Sequence, residues 1–110
     1  MAKLYAVVIP RNKEPFYQEV DPERLTPSLA GIVGGATSIV PVVSDLRYVM
    51  IVSDITVGKM KNRTASRLTG QTVYGTAAIL MQERGALRPM SQFAVKQAVR
   101  NLLSEVYGNV

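Results

Sequence analysis

Hydrophobic and polar positions alternate in short blocks along the chain, and each block has its own period. "KLYAVVIP" (Lys3 to Pro10) is rich in Val and Ile and closed by a proline, which reads as a strand with a stop. "RNKEPFYQEV" is polar and broken by Pro15, so it reads as a loop or an irregular extended stretch. "DPERLTPSLAGIVGG" follows, with Asp21-Pro22 and Thr26-Pro27 each placing a capping residue before a proline. Proline is tolerated at the first helical position because its missing N–H has no partner there. Leu29, Ile32 and Val33 share one face at helical spacing, and Gly34-Gly35 ends a helix of about two turns.

"ATSIVPVVS" and "RYVMIVSDITV" are the strongest strand signals, joined by "SDLR", where Ser44 and Asp45 can bond back to the backbone. They predict a β-hairpin. Pro41 moves the first strand toward an edge or a bulge. In the second, Tyr48, Met50 and Val52 alternate with Val49, Ile51 and Ser53, and both faces are largely apolar, which predicts a central strand. "NRTASRLTG" predicts a short helix capped by Asn62 and ended by Gly70. "TVYGTAAILMQ" predicts a third strand over Val73 to Met81, with Gly75 marking a bulge or a close backbone approach, and "ERGALRPMS" a loop. "SQFAVKQAVRNLLSEVYGNV" is the clearest helix. Ser91 is its cap, Gly108 its end, and Phe93, Val95, Ala98, Val99, Leu102, Leu103 and Val106 its apolar stripe.

This order predicts an α+β fold in a single domain spanning residues 1–110. It has one mainly antiparallel sheet of about four strands, two short helices and a C-terminal amphipathic helix packed on the sheet. A chain of 110 residues with 47% apolar content can bury a sufficient core without staples. It contains no cysteine, which fits the cytoplasm, and no histidine, which removes the usual base near neutral pH and the commonest metal ligand. No apolar run approaches the ~20 residues of a membrane span. The N-terminal stretch reads as a strand rather than a signal peptide.

Charge sharpens the picture. The net charge is +5, but residues 1–54 carry five cations and six anions, whereas residues 55–110 carry eight cations and two anions. No acid occurs from Ile55 through Gln82. Within that span "VGKMKNRTASRLTG" holds Lys59, Lys61, Arg63 and Arg67. Lys59 and Lys61 fall on one side of an extended segment, and Arg63 and Arg67, four apart, on one face of the helix. These four are the candidate contact to an anionic partner, with Arg84 and Arg88 as an extension if the following loop folds beside them. The competing reading is a capped helix with solvated cations.

Other chemistry fits poorly. Gly58-Lys59 shares two residues with the end of a Walker A loop, but Ser53 stands where its first glycine belongs and Met60 where Ser or Thr belongs. Asp45 and Asp54 lie at opposite ends of a strand ~30 Å long, too far apart for one metal. A Ser66 pair with Lys59 or Lys61 is the remaining nucleophile arrangement, and no spacing singles it out. The expectation is therefore a protein that is not an enzyme and carries no metal or cofactor.

Taken together, "LAGIVGGATSIVPV", "VMIVSD", "NRTASRL" and "VYGTAAIL" resemble a small domain of unknown function encoded by phages, plasmids and bacteria. The resemblance covers residues 28–81 and rests on Val33-Gly34-Gly35, on Asn62 with Ala65, and on Gly75. In that family the hairpin leads into an acidic loop, where this chain has the basic "VGKMK". The resemblance implies a fold and a phage-type setting in the host cytoplasm, and no activity. The leading expectation is an accessory protein that binds a host protein through its basic surface. Sequence-tolerant binding of nucleic acid through phosphates is the alternative. A third reading is a small-ligand or nucleotide-binding homo-oligomer with its pocket near Asn62. Exposure of Tyr107 and Val110 would add an oligomer contact.

Overall fold

The computed structural model describes residues 3–107, with side chains up to Leu103. The described residues form strands β1 (Leu4–Ile9), β2 (Phe16–Val20), β3 (Thr37–Pro41), β4 (Tyr48–Ser53), β5 (Ala77–Glu83) and β6 (Ala86–Arg88). They also form helices α1 (Leu25–Val33), α2 (Arg63–Thr69) and α3 (Gln92–Tyr107). All pairings are antiparallel, in the order β2-β1-β5-β4-β3, with β6 on β5. The α+β class and the single antiparallel sheet agree with the sequence, but the sheet has six strands rather than about four.

Both extra strands come from segments that read as loops. β2 is "FYQEV", exposed at every position but Val20 and held at the sheet edge by its register with β1. Its polarity suits an edge strand with little to bury. β6 arises because Arg84 and Gly85 both take positive φ (53° and 80°), the geometry of a tight two-residue hairpin turn. Arg-Gly lacks the usual Asn-Gly or Asp-Gly signature, so the turn is silent in the sequence. β5 also begins at Ala77, later than Val73.

β4 lies between β3 and β5, and its alternation sorts the core. Val49 and Ile51 face α1 together with Ala6, Ala78, Leu80, Leu29 and Val33. Tyr48 and Met50 face the other side with Val7, Ile9, Ile79, and with Leu68 of α2 and Val95, Ala98 and Leu102 of α3. Helices therefore cover both faces, as strands apolar on both faces require. Phe93 departs from the predicted stripe: it sits in the first turn of α3 and is 72% exposed. Ser91 caps that helix through Ala94 N–H (3.2 Å). Val106, Tyr107, Gly108 and Val110 fall outside the described side chains.

Local signals set the helix ends. Asp21 caps a 3-10 turn over residues 22–24 by accepting from Glu23 N–H (2.9 Å). α1 then starts at Leu25, so Thr26-Pro27 lies within its first turn, where a missing N–H costs nothing. Gly34 closes α1 at φ 85°, in the left-handed conformation.

The β3–β4 turn is clamped by Arg47, whose guanidinium donates to both carboxylate oxygens of Asp45 (2.6–3.2 Å). The side-chain hydrogen bond from Arg47 is the main cause that holds the Asp45 carboxyl below its ordinary range. A depressed acid contributes stability above its unfolded pKa and loses it as pH falls through the folded one. An NMR titration should show Asp45 moving up to the ordinary carboxylate range in Arg47→Met.

Candidate functional site

Val33-Gly34-Gly35, Asn62 with Ala65, and Gly75 meet at one junction, and that junction is structural. Asn62 is fully buried. Its Oδ1 accepts from Ala65 N–H (3.0 Å), capping α2, and its Nδ2 donates to the carbonyls of Ile9 and Gly75 (2.9 Å each). One side chain thus joins the end of β1, the entry to β5 and the start of α2. Every polar atom of it is used, so it offers none to a ligand. Gly35 takes φ 139°, where a side chain is strained, and an added Cβ would also press on Ile55 Cδ1 at 2.7 Å.

Lys59 belongs to the same junction. Its Nζ donates to the Val33 and Gly34 carbonyls (3.1 and 3.3 Å), capping the C-terminus of α1, where a cation is favoured by the helix dipole. Its stem runs over Gly75, where an added Cβ would stand 2.9 Å from Lys59 Cδ. Gly75 also has φ 77°. Gly75→Ala should lower stability by about 1–3 kcal/mol, from backbone strain and the displaced lysine stem. Lys59→Met should cost about 1 kcal/mol by loss of the cap while keeping the stem. Thermal melts check both.

The remaining cations behave differently. Lys61, Arg63 and Arg67 are exposed and together line an open depression of about 610 Å³, with Ser66, Gly70, Gln71 and Thr72. Among the described residues the ion pairs are Arg47–Asp45 and Arg88–Glu83 (3.8 Å), so none of the three has an acidic partner. Arg67 also borders a second depression with Asp45 and Asn101. Arg84, at the β5–β6 turn, and Arg88, paired with Glu83, do not line the basic depression.

Two features of this stretch are not visible in the sequence. The strand-like bridge Lys61↔Tyr74 sets the Tyr74 side chain beside Lys61, giving the cations an aromatic neighbour. The turn from Thr56 to Lys59, closed by Lys59 N–H to Thr56 O (3.0 Å), presents Val57 at 90% exposure, with Met60 at 62%. In "RYVMIVSDITV" the apolar residues after Asp54 continue the strand pattern, whereas β4 ends at Ser53 and leaves Ile55 and Val57 exposed.

Other chemical groupings are spent locally. The Ser66 hydroxyl accepts from Val73 N–H (2.8 Å) and neither lysine is its partner. Asp54 accepts from the Ser38 hydroxyl. Among the described residues no three acidic side chains cluster as metal ligands, and no helix is long and apolar enough to cross a membrane. No family model matches the chain, and neither a curated protein nor a solved structure matches it.

Proposed function

We propose that this is a phage-type accessory protein that acts by binding an acidic host protein through the surface of Lys61, Arg63 and Arg67. The observation that carries the reading is that these three cations share one depression and have no acidic partner among the described residues. The fold does not use them, whereas it uses Lys59. A protein partner is favoured by the company they keep. Tyr74 is the bridge partner of Lys61, exposed Val57 and Met60 precede Lys61 in the chain, and Met, Tyr and Arg are enriched where proteins meet. A phosphate backbone has no need of Val57 or Met60. The phage-type setting rests on the resemblance of residues 28–81.

Affinity capture from bacterial host lysate, with and without nuclease, tests the proposal. The expected result is a stoichiometric acidic protein that survives nuclease and is lost when Lys61, Arg63 and Arg67 are replaced by glutamate. Capture that is unchanged by those replacements overturns it. Tyr74 beside Lys61 supports a second reading, stacking and phosphate contact with single-stranded nucleic acid. Three phosphate contacts predict roughly a 20-fold loss of single-stranded oligonucleotide affinity between 50 and 200 mM salt.

A further inference from the structure

We infer that the free edge of β3 pairs with β3 of a second copy of this chain. The two edges of the sheet differ in chemistry. β2 exposes Gln18 and Glu19 and follows Lys13 and Glu14, charges that oppose pairing of an edge with itself. β3 lies in an uncharged run from Ala36 to Ser44 and exposes Ile39 (56%), with Val43 (60%) just beyond its end.

The hydrogen-bond phase of β3 defines what it offers. Asp54 N–H donates to Ala36 O, and Val42 N–H to Tyr48 O. Even-numbered residues of β3 therefore point their amides and carbonyls at β4, and Thr37, Ile39 and Pro41 point theirs outward. Proline has no N–H, and Val43 N–H is already taken by Leu68 O (3.0 Å). The open donors are those of Thr37 and Ile39. A two-fold axis through Ser38 sets Thr37 of one copy opposite Ile39 of the other, so that every outward amide and carbonyl of both residues is paired. An axis through Ile39 would set Thr37 opposite Pro41 and leave a carbonyl without a donor. Pro41 thus ends the ladder and selects its register. Asp54 stays on the β4 side of the strand, where its carboxylate accepts from the Ser38 hydroxyl and its N–H donates to Ala36 O. Thr37 and Ile39 do not line the basic depression, so the inference stands or falls independently of the partner proposed above.

Sedimentation equilibrium on the full chain, from micromolar to millimolar concentration, should give a reversible monomer–dimer equilibrium that added salt does not weaken. Amide exchange of Thr37 and Ile39 should slow as concentration rises. Ile39→Lys, at an exposed position, should raise the dimer dissociation constant at least about tenfold by placing a charge on the edge. Its melting temperature at low concentration should be unchanged. A monomer at every concentration overturns the inference. So does a dimer in which these two amides exchange at the monomer rate, or one equally tight in Ile39→Lys.

Discussion

Replacing Asn62 by alanine should destabilise the fold by about 3–5 kcal/mol, the largest effect expected of any single polar substitution here. Loss of the α2 cap accounts for about 1 kcal/mol. The carbonyls of Ile9 and Gly75 then lose their donor, and each loss costs about 1–2 kcal/mol, the lower part of the range for unpaired buried groups because the Gly75 bond is only partly buried. For a chain of this size that is a drop in melting temperature of roughly 10–20 °C. Asn62→Asp separates the two contributions. The carboxylate can still cap α2, but it cannot donate and it faces two carbonyl oxygens. Burial and those oxygens raise the folded-state pKa of the new acid. A raised acid stabilises below its unfolded pKa and loses that contribution as pH rises through the folded one. Asn62→Asp should therefore be most stable, relative to the parent, in acid. Urea unfolding at pH 4 and pH 7 measures this, and equal deficits at both would show that the donated bonds contribute little.

Reversing Lys61, Arg63 and Arg67 to glutamate should weaken binding to the captured acidic partner by about two decades without unfolding the protein. An exposed ion pair is worth about 0.5 kcal/mol, and reversal replaces attraction with a similar repulsion, about 1 kcal/mol per site. Three sites give about 3 kcal/mol, or roughly 100-fold in dissociation constant. The net charge moves from +5 by six units to −1. The melting temperature should hardly move, because none of the three forms an ion pair among the described residues. The dipole favours glutamate at Arg63, in the first turn of α2, and disfavours it by a similar amount at Arg67, in the last turn, so the two offset. Calorimetric titration of the partner checks the affinity. Lys59→Met is the control that should change stability and leave binding within about twofold, as expected of a charge outside the contact.

The same basic stretch shows where sequence reading stops. Four cations within nine residues look alike in a one-dimensional pattern. Three remain at the surface, but Lys59 turns inward to the end of α1, a helix that finished 26 residues earlier. Nothing local to Lys59 announces that target. Tyr74 was near in sequence, yet only antiparallel pairing sets it against Lys61. Arg84 and Arg88 were candidates because a loop can fold anywhere, and the unannounced β5–β6 hairpin fixed them to the end of a strand instead.

What the sequence determined by itself is everything that depends on neighbours along the chain. Strand alternation in β4, the Gly34 and Asn62 caps, the apolar stripe from Val95 to Leu103 and the acid-free span from Ile55 to Gln82 are local patterns with local causes. The tertiary structure decided whatever depends on partners far along the chain. β2 is a strand because β1 supplies its hydrogen bonds, not because its own residues bury apolar surface. Asn62 binds Ile9 across 53 residues because the sheet brings the end of β1 to the start of α2. The division follows from the physics: propensity and capping act within a turn or two, whereas ladder pairing, burial and the direction of a lysine are settled only when distant segments pack.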